Sequence, residues 1–208
     1  MHYSTLLPIF LSLALLSAAT PTPVKPRGAC TTVQPDILQI FSEAFPTTSY
    51  PNTANTDGAF VVSQDAGGVN RIYQAVGFLD IPARSWGCSL NFVFPPGSSI
   101  TTIGNPVLNV STIDVGYSGN IFSPNTWTWD DLYASPSPID MGLFGTVGEF
   151  DPTTVHTINS ESCPTDVNGG GNLGFLFSIA SWVQGDAAIY FDNLETPFLT
   201  GVYLTYNC

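Results

Sequence analysis

Positive charge is what this chain has least of. Four Lys and Arg stand against 16 Asp and Glu in 208 residues, a formal net charge of −12. A surface of that sign repels phosphate backbones, which argues against nucleic acid as a partner. The acidic excess is not a disordered tail. Charged residues make up only 10% of the chain, while Gly, Pro, Thr, Ser and Asn are plentiful, a β-rich extracellular composition.

Histidine is nearly absent, with only His2 and His156. A serine hydrolase needs a base beside its nucleophile, and His156 would have to serve. The stretch Gly116-Tyr117-Ser118-Gly119-Asn120 departs from a Gly-x-Ser-x-Gly elbow at its last position, so it reads as a hairpin turn. Copper-dependent oxidation of polysaccharides needs a histidine at the mature N-terminus and a second one elsewhere. Here the expected cleavage exposes Thr20 or a neighbour, so that chemistry is excluded.

Cysteine is sparse too. Cys30, Cys88, Cys163 and Cys208 contain no Cys-x-x-Cys pair, and only His156 could assist them. Zinc is thereby disfavoured, and an even count behind a secretory leader predicts two disulfides. The parity of Val202, Leu204, Tyr206 and Cys208 makes a Cys88–Cys208 bridge one hypothesis, with Cys88–Cys163 open. No cofactor or resident metal is expected. Asp166 to Asn172 offers oxygen ligands and glycines, but it lacks the spaced acids and closing Glu of a calcium loop.

Long apolar runs are missing apart from Leu6–Leu16. That run has the length of a signal-peptide core and is followed by the small residues Ser17-Ala18-Ala19. It falls short of the roughly 20 residues a membrane span requires. We expect residues 1–19 to be a signal peptide, leaving 208 − 19 = 189 residues. Residues 20–29 read as a proline-rich leader, and 30–208 as a single domain with a sizeable core. No apolar C-terminal tail suggests a lipid anchor. The expected location is therefore extracellular or the cell wall.

What is present is alternation. Cys88, Leu90, Phe92 and Phe94 share one parity before Pro95 and Pro96 end the run, as on a pleated core strand. Further strands are predicted over 59–62, 71–78, 106–110, 111–117, 143–147, 153–158, 173–180, 187–191 and 200–206. Ile37, Ile40, Phe41 and Ala44 after Pro35 have helical spacing and predict one short N-terminal helix. The fold class is all-β, an antiparallel sandwich of jelly-roll type.

Three phrases carry a family resemblance: Phe78-Leu79-Asp80-Ile81-Pro82, then Cys88-x-Leu90-x-Phe92-x-Phe94-Pro95, then Thr200-Gly201-Val202-Tyr203-Leu204-Thr205-Tyr206-Asn207-Cys208. In that order they resemble secreted fungal proteins that share the C-terminal domain of the ubiquitin-three-binding protein But-two, over roughly Phe60 to Cys208. The family label implies a protein partner, an activating enzyme of ubiquitin-like conjugation. That machinery is intracellular and the predicted address is not, so the resemblance carries the fold.

Two functions are open to such a chain. The first is a binding or structural module, meeting cell-wall polysaccharide or an extracellular protein. Trp127 and Trp129, placed on one strand face with Asp130 and Tyr133 following, are the candidate sugar platform, against the ordinary tendency of Trp to be buried. Trp86 and Trp182 are expected in the core. The second is a glycoside hydrolase using two opposed carboxylates. Its candidates are Asp130, Asp131, Asp140, Glu149, Asp151, Asp192 and Glu195, most of which read as solvated acids at strand ends. Asn109-Val110-Ser111 is a glycosylation acceptor, which would require Asn109 to face outward.

Overall fold

The computed structural model describes residues 29–113, 126–134, 139–148, 150, 155–164 and 171–208. The expected signal peptide and all of the proline-rich leader but Ala29 lie outside these residues. So do Gly116–Asn120, Glu149, Asp151 and most of the Asp166–Asn172 loop.

The described chain forms twelve strands and one helical turn. In order they are β1 (Thr31–Val33), β2 (Ile37–Ser42), β3 (Ala59–Asp65), β4 (Val69–Ile81), β5 (Cys88–Val93), β6 (Ile100–Ile103) and β7 (Leu108–Ile113). Then follow α1 (Trp129–Leu132), β8 (Ile139–Val147), β9 (Val155–Glu161), β10 (Gly171–Ile179), β11 (Ala187–Asp192) and β12 (Gly201–Tyr206). Every pairing is antiparallel. A four-stranded sheet runs β1-β12-β5-β9, and a larger one runs β6-β11-β3-β4-β10-β7-β8 with β2 added to β4. The two sheets pack face to face as a sandwich.

The alternating run behaves as its pattern predicts. Cys88, Leu90, Phe92 and Phe94 are fully buried, and so are Phe60, Phe78, Phe175 and Phe177 from the large sheet. Phe92 is the hub, with the rings of Phe60, Phe94, Phe177 and Phe191 between 5.7 and 6.0 Å away. Most of these contacts are edge-on, the arrangement that ring quadrupoles favour.

β4 is the branch point of the large sheet. Ile72 pairs with both Ser42 and Ser63, and Gln74 with both Ile40 and Phe177. Hence β2 takes one edge of β4, while β3 and then β10 share the other. Where β3 departs, the buried Gln74 side chain accepts from Val61 N–H at 3.0 Å. It thereby satisfies a backbone donor that the splitting ladder would otherwise orphan.

The helix expected over 35–44 is the strand β2. Its Leu38 packs in the inter-sheet core and its Phe41 in a second cluster on the opposite face of the large sheet. A strand buried on both faces carries apolar residues at both parities, and the period of two disappears. The segments 106–110 and 111–117, expected as separate strands, contribute one, β7.

The two disulfides are Cys30–Cys208 and Cys88–Cys163. The Cys88–Cys208 hypothesis is therefore corrected. Thr205 pairs with Ser89, so one step further along the register the residue opposite Cys88 is Tyr206. Both bridges staple strand ends of the small sheet. Where the sheets meet at β8 and β9, Asn159 Nδ2 donates to Phe144 O at 2.6 Å. A Cβ on Gly145 would collide with Ile158 Cγ2 at 2.6 Å, so only glycine permits this approach. Among the described residues no helix is long and apolar enough to cross a membrane.

Candidate functional site

The outer face of the large sheet carries a second, smaller cluster: Phe41, Ala75, Ile113 and Leu176 from the strands, covered by Trp127, Trp129 and Leu132. The covering piece is α1 with its lead-in, and it is locally specified. Thr128 precedes the turn, and the Asp131 carboxylate accepts from Thr128 N–H at 2.8 Å and from Thr128 Oγ1 at 2.7 Å. This is a capping interaction that fixes where the turn begins. Gln39 Nε2 donates to Trp127 O at 3.0 Å, and Asp130 N–H donates to Pro46 O at 3.0 Å. These bonds hold the segment on β2 and the turn that follows it.

The tryptophan platform expected on a strand face is therefore corrected. Trp127 and Trp129 flank the start of a helical turn and are only 8% and 6% exposed, spent on covering the sheet. Asp130 is solvent-facing in the first turn. Tyr133 closes the turn and is 56% exposed. A chain of ring contacts leads inward from it, with Tyr133 to Trp129 at 5.5 Å and Trp129 to Tyr73 at 4.7 Å.

Arg71 sits against this ladder. Its guanidinium carbon lies 5.3 Å from the Trp129 ring centroid and 5.8 Å from that of Tyr73, within cation–π range. The same group pairs with Glu43, Nη2 to Oε1 at 2.6 Å and Nε to Oε2 at 3.0 Å, a two-pronged fork. Hydrogen bonding from Arg71 holds the Glu43 carboxyl below its usual range. Burial pushes the Tyr133 phenol up, and its hydrogen bond with Tyr73 adds to the shift.

Beyond Arg71 and Tyr73 the described residues of the outer face form a groove of about 290 Å³. Ser178 and Asn109 belong to its floor. The β10–β11 loop supplies Ser181 and Gln184 as one wall, and the Gly67-Gly68 hairpin borders the other side. Trp182 projects from that same loop, 59% exposed, between groove-lining neighbours Ser181 and Val183. It stands in a tight turn closed by Val183 N–H to Ala180 O at 2.9 Å. Sequence reasoning assigned Trp182 to the core. Its setting between Ser181 and Gly185, past the apolar end of β10, was the signal that could have placed it outside. Trp86 is also exposed, at 51%, on the β4–β5 loop.

Of the carboxylates proposed for glycoside hydrolysis, Glu149, Asp151 and the side chain of Asp140 lie outside the described part of the chain, and the other four are spread over two regions. Asp131 is occupied in capping, Asp130 is solvated beside it, and Asp192 and Glu195 are exposed at the end of β11 and in the loop after it. Two other acids, Asp65 and Asp186, border one depression on β3 and β11. Both are engaged in turns: Asp186 Oδ1 accepts from Ala66 N–H at 2.6 Å, and Asp65 Oδ2 from Asn70 Nδ2 at 2.8 Å. His156 lies on β9 opposite Phe92. Among the described residues no group of three or more His, Cys, Asp or Glu is placed to hold a metal ion.

Compared with known proteins, the chain matches no protein-family model and no curated protein.

Proposed function

We propose that the chain is a secreted, disulfide-tied binding module that meets cell-wall polysaccharide at the outer-face groove and its aromatic rim. The observation that carries this reading is an exposed Trp182 on the loop that walls a groove lined by Ser178, Ser181, Gln184 and Arg71. Sugars present apolar ring faces and a girdle of hydroxyls. A protruding indole beside convergent hydroxyl, amide and guanidinium groups is complementary to both. Two disulfides support an oxidising compartment. The resemblance to the But-two C-terminal domain supports the same reading at the level of the fold. Its three phrases fall on the end of β4, on β5 and on β12, which are core strands and carry no chemistry of their own.

The test is retention of unglycosylated protein, with both disulfides closed, on insoluble cell-wall polysaccharide. Trp182→Ala should weaken retention about tenfold, the equivalent of about 1.4 kcal/mol. Trp86→Ala, which removes an equally exposed indole from another loop, should leave it unchanged. Equal retention of all three proteins would contradict the reading.

A further inference from the structure

We propose that the floor of this groove is the seat of the chain's own N-linked glycan, carried on Asn109. The proposal rests on the secreted reading, because only the secretory route supplies the transferase. Asn109-Val110-Ser111 is the single Asn-x-Ser/Thr acceptor in the sequence, and it lies within a strand, near its start, and not in a loop. Leu108 and Val110 are buried in the inter-sheet core, so Asn109 projects from the outer face. The register sets Thr146, Asn109 and Ser178 side by side on three neighbouring strands. Thr146 Oγ1 donates to Asn109 Oδ1 at 3.2 Å. This bond turns the amide oxygen toward β8 and the amide nitrogen away from it. No hydrogen bond among the described residues uses that nitrogen.

The chemistry balances without disturbing this arrangement. Asn109 Nδ2 attacks the anomeric carbon of a lipid-diphosphate-linked oligosaccharide. The carbon–oxygen bond to the diphosphate breaks, a carbon–nitrogen bond forms, and one amide proton leaves to the transferase's base. Oδ1 is untouched and keeps its bond to Thr146. Transfer must precede closure of the sheet, since β7 is afterwards flanked by β8 and β10. Once the chain is folded, the first N-acetylglucosamine lies over Ser178 with its hydroxyls toward Ser181 and Gln184. Tyr73 borders the same space. A volume of about 290 Å³ is at the small end of ligand clefts, which run about 300–1,000 Å³, and has room for the first sugar of a glycan. The glycosylated protein would then meet polysaccharide at the Trp182 rim, and only the unglycosylated protein would offer it the floor as well. The seated glycan would thus cover the floor and leave Trp182 at the rim.

The experiment expresses the full chain in a glycosylating secretory host and maps its glycans by mass spectrometry. Asp57→Thr completes a second acceptor triplet at the exposed Asn55 and serves as an internal reference. A glycan-releasing amidase should free the Asn109 glycan from folded protein at least tenfold more slowly than the Asn55 glycan, and both at similar rates after unfolding. Gln184→Ala and Tyr73→Leu should each speed release at Asn109 severalfold, which separates a seat from mere crowding by the strand. Equal rates in the folded protein, or release at Asn109 indifferent to both variants, would overturn the seat. A secreted protein with Asn109 unmodified would overturn it too while leaving the secreted reading intact. A protein retained in the cell would overturn both.

Discussion

The two faces of the large sheet are both closed by aromatic residues, and they are closed in different ways. Toward the small sheet the cover is Leu90, Phe92, Phe94, Val202 and Leu204, fully buried, free of charge and packed on the phenylalanines of the large sheet. Toward the outside it is Trp127, Trp129 and Leu132 on one helical turn, edged by an Arg71–Glu43 ion pair and by a tyrosine that reaches solvent. The first surface is a fold-determining core. The second is, among the described residues, thin and mixed, and the groove begins where it ends. Packing of the first kind leaves nothing for a ligand to touch, so the binding we propose belongs to the second.

Removing a side chain from each cover should show the difference. Phe92→Ala deletes the hub of the inner cluster and should cost about 3–5 kcal/mol, a large share of an ordinary domain's stability of about 5–15 kcal/mol. Denaturant unfolding reads it, and a loss under 1 kcal/mol would break the comparison. Replacing Cys88 and Cys163 together by Ala should cost about 2–5 kcal/mol, measured in the same way against the intact protein. Trp129→Ala should cost less, about 1–3 kcal/mol. It should also speed amide exchange in β2 and β10 near Phe41 and Leu176 while leaving Phe60 on β3 and Phe92 on β5 protected.

Two carboxylates sharpen the contrast through pH. Glu161 on the edge strand β9 pairs with Cys88 of β5, and its Oε1 is buried with no hydrogen-bond partner among the described residues. Burial raises its pKa above the ordinary 4.5. Because the folded value is the higher one, ionisation opposes folding, and the handicap disappears as pH falls below the unfolded value. Glu161→Gln should therefore be more stable than wild type at pH 7, with the gap closing below pH 4.5, as thermal melts across that range would show. No gap at pH 7 would contradict the burial. Glu43 has the opposite sign. Its pKa is lowered by Arg71, so its contribution is full above the unfolded value and fades as pH drops through the folded one. The pair is about a third exposed, so Glu43→Gln should cost under about 1 kcal/mol, the smallest effect of the set.

Much of the inner core was legible in the sequence, and little of the outer face was. Strand β5 declared itself because one face is apolar core and the other carries Ser89 and Asn91, polar residues satisfied by hydrogen bonds to Ser160, Thr157 and Thr205, which leaves the period of two intact. β2 misled because it lies between two clusters: Leu38 serves one and Phe41 the other, and the resulting spacing imitates a helix. Trp127 and Trp129 misled in the opposite direction, since two residues apart they imitate a strand. The Thr128-to-Asp131 cap was the overlooked sign of a turn. β6 and β1 are too short for any pattern to emerge. The groove could not have been read at all. Ser178, Gln184, Asn109 and Arg71 are brought together only by the pairing of β4, β10 and β7.

The most direct measurement is an NMR titration of the unglycosylated protein with soluble cell-wall oligosaccharides, following the four tryptophan indole N–H signals. The account predicts that the Trp182 signal moves in a saturable way, with smaller shifts at Trp129 and none at Trp86. A Trp182 signal that stays fixed while sugar is added, or that moves only together with Trp86, would contradict it.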